Sequence, residues 1–154
     1  MRQILLVLIL LVSSAAPAGE PYPSAESLDA ATKRYIVSSE KPYDDVLEDL
    51  EFSISQHNYR ITGRNQIGNA IAQSENIDFQ KSTIVHFCNL QAAKEIYDIN
   101  PDFLLHMPCR MTLREVQGSV IIEARLVPEN DPALKQISLR INAMMRSIAD
   151  YAAE

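Results

Sequence analysis

Residues 109–127 constrain this fold more than any other stretch of the chain. Cys109 to Val116 and Ser119 to Val127 alternate apolar and polar residues on either side of Gln117-Gly118. That is the pattern of two strands joined by a tight turn. Pairing across the turn sets Leu113 opposite Ile122, Met111 opposite Ala124 and Cys109 opposite Leu126. The other face sets Thr112 opposite Glu123 and Arg110 opposite Arg125. One face is apolar and the other mostly polar, so the hairpin predicts a sheet half-buried on one side. A slip of one residue would turn every apolar side chain outward, which is why this register is specified. Arg110 opposite Arg125 is the one misfit, because like charges directly across a ladder are unfavourable.

The remaining elements follow from local signals. Tyr35-Ile36-Val37 reads as a first strand. Pro42 suits the first turn of a helix, and Asp44, Asp45 and Glu48 suit its positive end. Tyr43, Val46, Leu47, Leu50 and Ile54 recur at helical spacing, giving one apolar face through about His57. Tyr59 to Thr62 is a short second strand, ended by Gly63. Ile67 to Gln73 is a short helix, and Thr83 to Cys88 a third strand. Asn89 can cap a helix from Leu90 to Ile99, stopped by Asn100-Pro101. Phe103-Leu104-Leu105 is an apolar turn before Pro108. Asp131-Pro132 starts the last helix, where Leu134, Ile137, Ile141, Met144, Ile148 and Tyr151 alternate by three and four. That seam predicts a helix lying on the sheet, with dimerisation through it as the competing use. The order implies an α+β fold, a two-layer sandwich of a mainly antiparallel sheet with helices packed on one face.

The N-terminus reads as an address. Met1-Arg2-Gln3 is a short positive segment, Ile4 to Val12 is uninterrupted apolar, and Ala16-Pro17-Ala18 is a small-residue cleavage signal. Residues 1–18 are expected to be a secretory signal peptide. The apolar run is far short of the about 20 residues that a spanning helix needs. Residues 19–31, with Gly19, Pro21, Pro23, Ser24 and Ser27, follow as a flexible leader, and residues 32–154 as a single α+β domain. The protein is therefore expected in the periplasm or secreted, with no membrane attachment after signal cleavage. At 47% hydrophobic and 22% charged residues, the 154-residue chain is not of disordered or low-complexity type. Its net charge of -6 makes it a poor partner for nucleic acid.

Several chemistries can be struck out. Gly63 and Gly68 are a phosphate-loop distance apart, but Asn69-Ala70 follow where Lys and Ser or Thr are needed. No G-x-S-x-G elbow, H-E-x-x-H or calcium loop occurs. No catalytic residue is assigned, and a binding role is expected rather than an enzymatic one. One cluster remains: His86 and Cys88 close a strand, and His106, Met107 and Cys109 open the next. Three readings compete. Two cysteines in an exported domain usually pair as a disulfide. Alternatively, a thiol site, or a metal or haem site, could use His86, Cys88, His106, Met107 and Cys109, with the helix start lowering the Cys88 pKa. In the third reading both cysteines are buried free thiols acting as small hydrophobes. Alternation leaves a tension. It puts Cys109 with Met111 and Leu113, and Cys88 with Ile84 and His86, on opposite faces if Val85 and Phe87 point to the core.

Val85-His86-Phe87-Cys88-Asn89 and Leu105-His106-Met107-Pro108-Cys109-Arg110-Met111, followed by the hairpin with Gly118 at its turn, resemble the family known as domain of unknown function 302. The helix Pro42–His57 ahead of Tyr59-Arg60-Ile61 fits the family's opening. The resemblance covers about residues 32–130, and Met107 stands where such sequences more often have Leu. It implies a small α+β domain, often dimeric, and a cysteine pair at Cys88 and Cys109 in exported members. It implies no established activity. The leading expectation is an exported, non-catalytic domain that binds a small ligand or a protein, including a second copy, and is stabilised by the Cys88–Cys109 pair. This reading requires no cofactor. The alternative is a periplasmic redox, metal- or haem-binding protein using Cys88, Cys109, His106 and possibly His86.

Overall fold

Alternation and helical periodicity resolve into one five-stranded sheet and its helices over residues 33–154, the part of the chain described by the computed structural model. The expected signal peptide and leader, residues 1–18 and 19–31, lie outside the described residues. The strands are β1 (Arg34–Ser39), β2 (Arg60–Asn65), β3 (Ser82–Cys88), β4 (Cys109–Val116) and β5 (Ser119–Arg125). The α-helices are α1 (Tyr43–Gln56), α2 (Ile67–Glu75), α3 (Leu90–Ile99) and α4 (Lys135–Ala153), with a 3-10 segment at Pro101–His106. Strand order is β1-β5-β4-β3-β2, and every neighbouring pair is antiparallel. The expected α+β sandwich is the fold observed.

The hairpin adopts its expected register, with Leu113 opposite Ile122, Met111 opposite Ala124 and Thr112 opposite Glu123. Gln117 and Gly118 both take positive φ, 52° and 90°. That is what a two-residue turn matched to strand twist requires. On the core face Val85, Phe87, Met111, Leu113, Ile122 and Ala124 are completely buried. Val46, Leu50 and Ile54 of α1 and Met145, Ile148 and Ala149 of α4 bury against that same core.

α4 departs from its expected pattern. Its buried row is Ile137, Ile141, Met145, Ile148, Ala149 and Ala152, while Tyr151 is 44% exposed and Met144 only half-buried. A straight helix drifts by about 20° per heptad against a 3.5-residue repeat. The contact stripe therefore walks off Met144 and Tyr151 onto Met145 and Ala152. This is the geometry of a helix lying along the sheet. The helix also begins later than Asp131-Pro132, because Asp131 instead accepts the Ala133 N–H in a turn.

Gly63 does not end β2. The strand runs on to Asn65, with a register shift between Ile61 and Gly63, so this glycine marks a bulge. Gly68 has a different reason to lack a side chain. A Cβ there would lie 2.3 Å from the Gln80 carbonyl oxygen and 2.7 Å from the Ser82 nitrogen. α2 thus sits directly on the backbone that leads into β3.

Two polar clamps fix α4 to the sheet. The Tyr35 hydroxyl donates to Asp150 at 2.6 Å, and the Ser39 hydroxyl donates to the Ala153 carbonyl at 2.9 Å. At the opposite end of the sheet, Asn142 accepts the Val127 N–H at 2.8 Å and donates to the Val127 carbonyl at 3.0 Å. It donates as well to Glu129 at 2.6 Å.

Candidate ligand site at the end of the sheet

β3 and β4 are joined by α3 and the 3-10 segment, so this crossover must lie over the sheet's end. Asparagines pin both its parts. The Asn89 side chain accepts from the N–H groups of Gln91 and Ala92 at 3.0 Å each and donates to the Asn58 carbonyl at 2.9 Å. This is the cap expected from sequence. Asn100 accepts the Asp102 N–H at 3.0 Å and donates to Asp131 at 3.1 Å. The segment then delivers His106 and Met107, followed by a cis Met107–Pro108 peptide, to the start of β4. Phe103 is buried and packs edge-on against the His106 ring at 4.9 Å.

His106 and Met107 stand between two concavities. On one side is a hollow of about 120 Å³, whose polar wall is His86, His106, Arg110 and Arg125. Leu105, Met107, Pro108, Leu126 and Val127 supply its apolar wall. On the other side is a narrow cleft of about 20 Å³ lined by Tyr59, Cys88, Ile96, Phe103 and Cys109. The five residues expected to form one cluster are therefore divided. His86 belongs to the hollow, Cys88 and Cys109 to the cleft, and His106 and Met107 to both. Among the described residues, no three His, Cys, Asp or Glu side chains are grouped to hold a metal ion.

The expected Cys88–Cys109 disulfide is not formed: both cysteines are free thiols. Cys109 pairs with Phe87 and shares its core face, whereas Cys88 has the opposite strand parity. A disulfide needs the two Cβ vectors to converge, which opposite parity works against, although both side chains line one cleft. The expectation that the α3 N-terminus lowers the Cys88 pKa is also overturned, since burial raises it. Burial, and next the neighbouring Cys88, pushes Cys109 up to about 12. Tyr59 is likewise pushed up to about 12, by burial first and then by the two thiols. Desolvation outweighs the helix terminus here, and the thiolate is the nucleophile, so neither sulfur is activated. In native protein treated with iodoacetamide near neutral pH, Cys109 should stay unmodified and Cys88 should react more slowly than free cysteine. Both should react fully once the chain is unfolded. Rapid native modification of Cys109, read by mass spectrometry, would contradict this account.

His106 lies below its ordinary pKa, because of burial first and the Arg125 and Lys33 charges next. Its neutral ring is thus the favoured form in a positive surrounding. No motif announces Arg110 and Arg125. Their signal is the misfit already visible in the hairpin, two arginines facing each other on the half-exposed side of the sheet. Nearby Glu123 is already engaged, pairing with Arg34 at 3.1 Å and Arg114 at 3.2 Å and accepting the Thr112 hydroxyl at 3.2 Å.

The profile of the family described as "Domain of unknown function DUF302" matches residues 35–151. Among solved structures, the chain is similar to an uncharacterized conserved DUF302 protein from Bacillus stearothermophilus, known from a crystal structure. The TM-score is 0.71 at 24% identity, covering 80% of this chain and all of that one. At this identity the likeness is one of fold. No curated protein matches the chain.

Proposed function

The chain belongs to the family described as domain of unknown function 302, and on the geometry of the sheet's end we propose that it is an exported, non-catalytic domain that binds a small ligand. The observation that carries this reading is the hollow beside His106. It is concave, about 120 Å³ in volume, and combines an apolar wall with convergent polar groups. Small-ligand sites have this mixed lining, in which apolar surface supplies affinity and a few polar groups supply orientation. Export is supported by the n-region, apolar run and Ala16-Pro17-Ala18 of the first 18 residues.

A protein-observed NMR screen of neutral and charged fragments tests the reading. Hits should perturb His106, Arg110 and Val127 together, and should be lost or weakened when the 85%-exposed rim residue Leu105 is replaced by Trp. A screen in which no fragment perturbs the residues lining the hollow would overturn the proposal. For the address, N-terminal sequencing of the exported protein should begin at Gly19. A mature chain still carrying residues 1–18 would refute that part.

A further inference from the structure

The half-exposed face of the sheet carries a transverse row of basic side chains. On β1 and β5, Arg34 pairs with Arg125. On β4 and β5, Arg110 and Arg125 lie one step beyond Met111–Ala124, the last pair of their ladder. Arg110 in turn pairs with His86 on β3. The row ends at Gly63 of β2, which pairs with His86 and adds no side chain. Side chains of paired residues share a face, so Arg34, Arg125, Arg110 and His86 stand side by side across four strands. The chain as a whole carries a net charge of -6, so composition alone does not produce such a row.

Like charges placed directly opposite each other cost stability. A carboxylate between them would remove that cost, and Glu123 lines the same depression of the sheet. It serves Arg34 and Arg114 instead. Among the described residues, Arg110 and Arg125 have no carboxylate partner. Both line the hollow beside His106, and both line a shallow depression of the sheet bounded by Ile84, Thr112 and Glu123. His86 is held by a 3.1 Å hydrogen bond between its Nε2 and Asn65 Oδ1.

We infer that Arg110 and Arg125, flanked by His86 and His106, form a binding site for a compact oxyanion: a phosphate, sulfate or carboxylate group. The inference rests on the proposed ligand-binding role and names the chemistry of the ligand. Guanidinium forks match the oxygens of such groups, and an anion seated between the two arginines converts a repulsive pair into a bridged one. The hollow has room for a small anionic head, with Leu105 and Met107 at hand for an apolar remainder.

The test is titration of isotope-labelled protein with inorganic phosphate, sulfate and acetate at constant ionic strength, observed by NMR. At least one anion should give saturable shifts at Arg110, Arg125 and His106. Arg110→Gln and Arg125→Gln should each weaken it about tenfold, the value of one charge-assisted contact. Arg140→Gln removes the same charge from an exposed arginine on α4 that pairs with Glu95. It should leave affinity within about twofold, because screened charges at a distance matter little. No saturable shift with any of the three anions overturns the inference, as does binding that both arginine variants leave unchanged. If neutral fragments still occupy the hollow in that event, the anion inference alone has failed. If they do not, the ligand-binding reading has failed with it.

Discussion

Replacing Phe87 with Ala is expected to lower the free energy of unfolding by about 3–5 kcal/mol. Phe87 is completely buried and lies on β3, which is flanked by β2 and β4. Its ring meets Tyr59 edge to face, with centroids 5.9 Å apart and planes at 79°. Truncation removes the transfer energy of the ring and leaves a cavity that strands bonded on both sides cannot close. Loss of the aromatic pair adds about 0.5–1.5 kcal/mol of its own. Domains of this size are stable by only about 5–15 kcal/mol, so the variant should be close to unfolding at body temperature. Phe79 is the control. At 42% exposed it should tolerate the same change at a cost of about 0.5 kcal/mol or less. Urea denaturation of the two variants makes the comparison, and equal midpoints would refute the assigned roles.

Asn142→Leu is expected to produce the second large loss, by a different mechanism. Asn142 is 4% exposed, and its amide satisfies both the N–H and the carbonyl of Val127. Leucine keeps the branching and the number of heavy atoms but leaves both backbone groups without their partner. Each orphaned buried group costs about 1–3 kcal/mol, and Val127 is itself 6% exposed, so water does not readily replace the amide. Because Val127 also lines the hollow, the damage should spread there. Hydrogen exchange at the Val127 amide should accelerate, and the urea midpoint should fall. Unchanged exchange at that amide would show that the side chain does not hold the segment after β5.

The contrast between what was legible in the sequence and what was not follows the range of each interaction. The hairpin register and the bounds of α3, Leu90–Ile99, were readable because alternation, turn residues and an Asn cap act within a few positions. Gly63 was misread because a glycine inside a strand and one after it look alike until the partner strand shows the bulge. The seam of α4 counted Tyr151 and missed Met145, since a short run of residues fits a heptad and a 3.6-residue repeat almost equally well. Strand parity sets Cys88 and Cys109 on opposite faces, yet both line one cleft as free thiols, and their proximity in sequence to His86 and His106 suggested a single cluster. Met107 and His106 instead divide the space into two cavities. Arg110 and Arg125 were visible only as an unfavourable pair, since cross-strand neighbours on a sheet face carry no sequence motif.

The position of β1 bears on how the domain assembles. It is the first strand of the described chain, yet it closes the sheet's edge against β5, so that Arg34 meets Glu123 from 89 positions away. The β4–β5 hairpin, by contrast, needs only a two-residue turn. Closing long loops before their contacts form slows folding toward the millisecond-to-second range. The hairpin and its neighbour β3 can therefore organise first, while β1 waits through most of synthesis for a partner not yet made. Substitutions that weaken the β1–β5 ladder should then accelerate unfolding and leave the folding rate nearly unchanged.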